Sequence, residues 1–137
     1  MGVPILIVDS DTSARIRLRQ TLDASGYSIV EAGDVDDGLA LLRVCNGPMV
    51  ALFHVALFNN TLMGTDGIAF LGAAQSEARH GSRHAFVVIT PTPDQLHAAL
   101  GRLLAHLSIP VVAEPVTGED LVTAIDRAAR YQLAAVS

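Results

Sequence analysis

Asp9 and Asp11 follow directly on the aliphatic run Ile5-Leu6-Ile7-Val8, His54 follows Met49-Val50-Ala51-Leu52-Phe53, and Glu114 follows Val111-Val112-Ala113. Three carboxylates and an imidazole, each placed where an apolar run stops, make a set suited to holding a proton or a cation. With Asp9 and Asp11 beside it, His54 has the chemistry of an acid-base group or a phosphoacceptor. Ser10, between the two acids, contributes a hydroxyl, which is a poor substitute for a carboxylate around a hard cation. Thr90 ends a further apolar run, Ala85 to Ile89. The chain contains no lysine, so nine arginines carry all of its fixed positive side-chain charge.

These residues need a scaffold that gathers strand ends, and the pattern of the chain supplies one. Ile5 to Val8 reads as a strand covered on both faces, and Ala14, Leu18 and Leu22 follow at helical spacing until Gly26. A second strand over Tyr27–Ala32 leads to Asp34, an N-cap with Asp37 three residues on, and to Leu39, Leu41 and Leu42. Met49 to Phe53 is a third strand, and Ile68-Ala69-Phe70-Leu71 opens a third helix ending near Gly81. The fourth strand is Ala85 to Ile89. Thr92-Pro93-Asp94-Gln95 combines a cap, a first-turn proline and a box-closing glutamine at the start of a fourth helix striped by Leu96, Leu100, Leu103, Leu104 and Leu107. A short fifth strand, Ile109 to Ala113, precedes a fifth helix starting at Thr117 and burying Leu121, Ala124, Ile125, Ala128 and Ala129. Five alternating β-α units predict a parallel, doubly wound sheet whose functional residues collect at the carboxyl ends of the strands.

Composition bounds the function. With 137 residues, half of them hydrophobic, residues 1–137 are expected to form a single domain burying roughly two-thirds of the unfolded surface. A net charge of −5 with scattered arginines gives no basic stripe for nucleic acid. Cys45 is the one cysteine, which allows neither an internal disulfide nor a thiolate metal site. No apolar stretch approaches the ~20 residues of a spanning helix, and no charged leader precedes the first strand. A soluble, cytoplasmic protein without membrane contact is the expectation.

In the order and spacing of several stretches the chain resembles a response-regulator receiver domain of the chemotaxis-regulator type. They are Ile5-Leu6-Ile7-Val8-Asp9-Ser10-Asp11 with Arg15, Gly26-Tyr27-Ser28-Ile29-Val30-Glu31-Ala32, Asp66-Gly67, Val87-Val88-Ile89-Thr90, and Glu114-Pro115 with Glu119-Asp120-Leu121. The resemblance implies a flavodoxin-like (βα)5 fold with strand order 2-1-3-4-5 and a part in two-component phosphorelay signalling. It also implies an aspartate phosphoacceptor at the third strand tip, acids at the tip of the first strand helping to hold Mg2+, a lysine on the fifth strand, and a Thr or Ser switch at the end of the fourth. Such chemistry needs the metal and the lysine because the phosphoryl group and the carboxylate otherwise repel.

Against that pattern, His54 occupies the phosphoacceptor position, Ser10 replaces an acid, and Glu114 inverts the lysine's charge. Asp66 is accounted for by the Asp-Gly pair that follows the acceptor. Thr90 is retained, but Pro91 stiffens the following turn, and Val111 stands where the family often has a switch aromatic. The degenerate site is therefore His54, Thr90 and Glu114 beside an acidic pocket of Asp9, Ser10 and Asp11, with Mg2+ binding weak or absent and no other cofactor. Asp11 is also a good N-cap for the first helix. His54 is expected either to donate to a carbonyl or to Asp9, or to pair as a cation with Asp9 or Asp11. The resemblance implies a cis Glu114-Pro115 bond. The stretch 55–65 is about five residues longer than the family's usual connection; Leu57, Phe58, Leu62 and Met63 in it are expected either to mark a partner surface or to fold over the pocket.

The function expected is that of a pseudo-receiver, a non-enzymatic protein-interaction module independent of phosphorylation. Its implied partners are signalling proteins such as a histidine kinase or an output domain. A homodimer through the fourth and fifth helices, using Leu103, Leu107 and Val112, is the further expectation, and Arg130-Tyr131-Gln132-Leu133 would begin a linker helix if the chain continues. The alternative is a repurposed ligand or catalytic pocket with His54 as acid-base group or phosphoacceptor beside Asp9 and Asp11.

Overall fold

A computed structural model describes residues 4–9, 11–44, 48–54, 84–90, 98–114 and 116–133. Its strands are β1 (Ile5–Val8), β2 (Ile29–Ala32), β3 (Val50–His54), β4 (Ala85–Thr90) and β5 (Val111–Ala113). The helices are α1 (Thr12–Asp23), α2 (Val35–Val44), α3 (Ala98–His106) and α4 (Gly118–Ala128). All strand pairings are parallel, and the five strands lie in the order β2-β1-β3-β4-β5. This is the flavodoxin-like arrangement that the resemblance implies, and its parallel pairing is the one expected from the alternation of patterns. Here α3 and α4 correspond to the fourth and fifth helices of the sequence reading.

Continuous apolar runs give this sheet two buried faces, because successive side chains of a strand point to opposite sides. Leu6, Val8, Ala51, Phe53, Phe86 and Val88 face Leu42 of α2 and Leu104 of α3. Ile5, Ile7, Val50, Leu52, Val87 and Ile89 face Leu22 of α1 and Leu121, Ala124 and Ile125 of α4. Fully burying one such aliphatic side chain contributes about 1.5–3 kcal/mol, so the alternation commits every strand's register to the core. A slip of one residue would exchange the two faces.

Local signals set the helix ends. Asp34 Oδ1 accepts from the Asp37 N–H at 2.7 Å, and Thr117 Oγ1 accepts from the Asp120 N–H at 3.0 Å; each satisfies an orphan donor of a first turn. Gly26 follows α1 at φ +84°, a conformation that costs glycine nothing sterically. After α3, Ser108 takes up the same left-handed region at φ 60°. There the Ile109 N–H returns to the Leu104 carbonyl at 2.9 Å.

Several boundaries differ from the sequence reading. β3 extends to His54 and β4 to Thr90, whereas β5 starts only at Val111. Pro110 lacks an N–H, yet its carbonyl accepts from the Val88 N–H at 3.0 Å, so strand pairing starts late on this edge. The stretch 130–133, expected to begin a linker helix if the chain continues, is helical. Helix α4 widens into a π-helical turn over Ala129–Leu133, and Gln132, 8% exposed, bonds to the backbone of β4. The residues expected at a dimer face are placed as follows. Val112 is buried between the sheet and α4, and Leu103 and Leu107 pack against the opposite core, because the apolar stripe of α3 is what holds it to the sheet. The predicted third helix over 68–81, the stretch 55–65, Asp66, Cys45, the Thr92–Gln95 signal and Pro115 lie outside the described residues.

Candidate functional site

Strand register brings the expected residues to one end of the sheet. Val8 pairs with Phe53, His54 with Ile89, and Thr90 with Ala113. Asp9, His54, Thr90 and Glu114 therefore stand in a row across the carboxyl ends of β1, β3, β4 and β5. The row closes on one side through the Glu114 N–H, which donates to the Thr90 carbonyl at 2.9 Å. Thr90 itself is fully buried.

Asp9 is 3% exposed. Its Oδ1 accepts from the Asp11 N–H at 2.9 Å, and its carbonyl accepts from Arg15 Nη1 at 2.6 Å. Its Oδ2 is buried and has no hydrogen-bond partner among the described residues. A carboxylate oxygen stripped of water without a donor is costly and points to a site rather than to a structural role. Asp11 differs. Its side chain accepts from the N–H groups of Ser13 and Ala14, so it caps α1 and faces solvent. Ser10 and the side chain of His54 lie outside the described residues, and with them the expected His54 pairing.

Asp9 and Glu114 line one cleft of about 430 Å³, together with Ala14, Arg17, Leu18, Gln20 and Thr21 of α1, and Ile89 and Val116. Asp11 is absent from this lining because capping turns it toward the helix. Arg17 was not singled out by the sequence, although a signal existed. In Arg15-Ile16-Arg17-Leu18-Arg19, residues four apart share a helix face and the one between them does not. Arg15 Nε and Arg19 Nη1 both bond Glu31, at 3.3 and 2.5 Å, which leaves Arg17 on the cleft side. The hydrogen bond from Arg19, with help from Arg15, holds the Glu31 carboxyl below its usual range.

One oxygen of the Asp11 carboxylate accepts from two backbone N–H groups, one Asp9 oxygen accepts from a third, and the third-strand position is a histidine.

No protein-family model and no curated protein matches the chain. Solved structures do match it. A CheY-like response regulator receiver domain protein from Methanospirillum hungatei JF-1 is 21% identical over 98% of this chain and 99% of that one, with a TM-score of 0.67. The N-terminal domain of a response regulator/sensory box/GGDEF three-domain protein from Carboxydothermus hydrogenoformans is 18% identical over 98% and 99%, with a TM-score of 0.73. The signal receiver domain of an HD domain-containing protein from Pseudomonas fluorescens Pf-5 is 20% identical over 98% and 99%, with a TM-score of 0.68. The chain thus has the receiver-domain fold of two-component response regulators. Among the described residues no helix is long and apolar enough to cross a membrane.

Proposed function

We propose that the chain is a pseudo-receiver, a non-enzymatic module of two-component-type signalling in the cytoplasm that binds a protein partner without being phosphorylated. The observation that carries this reading is the presence of Asp9 and Glu114 in one cleft, where phosphoryl transfer would need a cation opposite the acid. A third-strand histidine in place of an acid adds to it. The partner is a histidine kinase or an output domain, by analogy with the multidomain proteins that contain two of the structural neighbours. Its docking face is the outer side of α3, where Arg102, Ala105 and His106 are exposed; any homodimer would use these residues and not Val112. A pull-down from the native host, with and without a small phosphodonor and Mg2+, tests this. The same partner is expected in both samples and is lost when Arg102 and His106 are replaced by Glu. Capture that depends on the phosphodonor would contradict the reading.

The unpartnered Asp9 Oδ2 favours a second reading, a repurposed pocket in which His54 serves as acid-base group or phosphoacceptor. Replacing His54 by Ala tests it, since unchanged ligand binding and labelling would remove the role given to the imidazole.

A further inference from the structure

We propose that the cleft between α1 and the end of β5 binds a small zwitterion, an α-amino acid with an apolar side chain. The inference rests on the second reading above, that the strand-end cleft takes a ligand. About 430 Å³ is within the range of small-molecule sites, and the lining has three chemical sectors. Asp9 and Glu114 give a negative sector at the strand ends, Arg17 a positive one on α1, and Leu18, Ile89 and Val116 an apolar one.

Two observations make the charges available. Asp9 is 3% exposed with Oδ2 buried and unpartnered among the described residues, so its desolvation is already complete before a ligand ammonium arrives. Arg17 takes part in no ion pair among the described residues, in contrast to Arg15 and Arg19, which Glu31 occupies. A plain amine would satisfy the acids and leave the guanidinium facing it with like charge, whereas a plain carboxylate would meet Asp9 and Glu114. A molecule carrying both groups complements both sectors, and an apolar side chain covers the third.

Calorimetric titration of the full chain with L-leucine, L-leucinamide and 4-methylpentanoate separates the contributions, since the second lacks the carboxylate and the third the ammonium. L-Leucine is expected to bind tightest and 4-methylpentanoate weakest. Arg17→Gln, a change at an exposed position, is expected to weaken L-leucine by about tenfold and L-leucinamide by less than about twofold. Arg19→Gln, outside the cleft, is expected to leave all three unchanged. Equal affinity for L-leucine and L-leucinamide with no effect of Arg17→Gln would overturn the zwitterion assignment while leaving a cation-binding pocket. Failure of all three probes to bind the folded wild-type chain would overturn the ligand-pocket reading with it.

Discussion

The side-chain amide of Gln132 pairs with the backbone of Phe86 as a neighbouring strand would. Oε1 accepts from the Phe86 N–H and Nε2 donates to the Phe86 carbonyl, both at 2.9 Å. Phe86 is paired with Ala51 of β3 on one side, but because β5 begins only opposite Val88 its other side has no strand, and an amide 46 residues away along the chain takes the vacant place. Nε2 also reaches the Ser108 carbonyl at 3.3 Å, tying down the left-handed residue that ends α3.

Removing that amide leaves a buried N–H and carbonyl of β4 unpaired. Gln132→Ala is therefore expected to destabilise the fold by about 1–3 kcal/mol, read by urea denaturation. Gln132→Glu should cost more, because a buried carboxylate would face two carbonyl oxygens. A loss below about 0.5 kcal/mol for both would show that the pairing contributes nothing.

His84, two residues before Phe86, makes a comparable link on the β3 side of the same strand end. Its Nδ1 accepts from the Met49 N–H at 3.1 Å, so Nε2 carries the hydrogen and donates to the Leu42 carbonyl at 3.0 Å. One ring thereby fastens the end of α2 to the start of β3. His84→Leu preserves apolar bulk and strands the Met49 N–H, for an expected loss of about 1–3 kcal/mol; wild-type stability in thermal unfolding would refute the linkage.

Glu31 gives the fold an acid sensitivity of known sign. Its folded-state carboxyl lies below the usual range, chiefly through the Arg19 hydrogen bond, so its contribution is fully present above the unfolded-state value. That contribution is lost as pH falls through the lowered folded-state value. Glu31→Gln is expected to flatten the loss of stability on the acid side of the ordinary carboxylate range and to cost under about 1 kcal/mol at neutral pH. An unchanged slope would mean that the arginine pair does not hold the carboxylate.

Asp9 should behave in the opposite way from a structural acid. Asp9→Asn retains the acceptor for the Asp11 N–H and removes the charge of the unpartnered Oδ2, so stability is expected to rise by about 1 kcal/mol. A loss of that size in chemical denaturation would make Asp9 a structural residue.

What the sequence revealed and what it concealed have physical causes. Ile5–Val8 and Ala85–Ile89 are readable as strands because both faces of the sheet are covered and each run is apolar throughout. The row of Asp9, His54, Thr90 and Glu114 follows, since it needs only strand ends and parallel register. Asp11 had two outcomes open, and backbone geometry at the start of α1, which no composition encodes, decided for the cap. Arg17 reaches the cleft because Glu31 holds its two neighbours, a contact between α1 and β2. Gln132 was invisible, since its role depends on where β5 fails to pair.

The central claim is that the strand-end site does not accept a phosphoryl group. Intact-mass spectrometry after incubation with acetyl phosphate and Mg2+ tests it most directly, with the His54→Asp, Ser10→Asp, Glu114→Lys triple variant alongside. The expected result is an unmodified wild-type chain and a gain of one phosphoryl group on the variant. A phosphoryl adduct on an aspartate of the wild-type chain would contradict it.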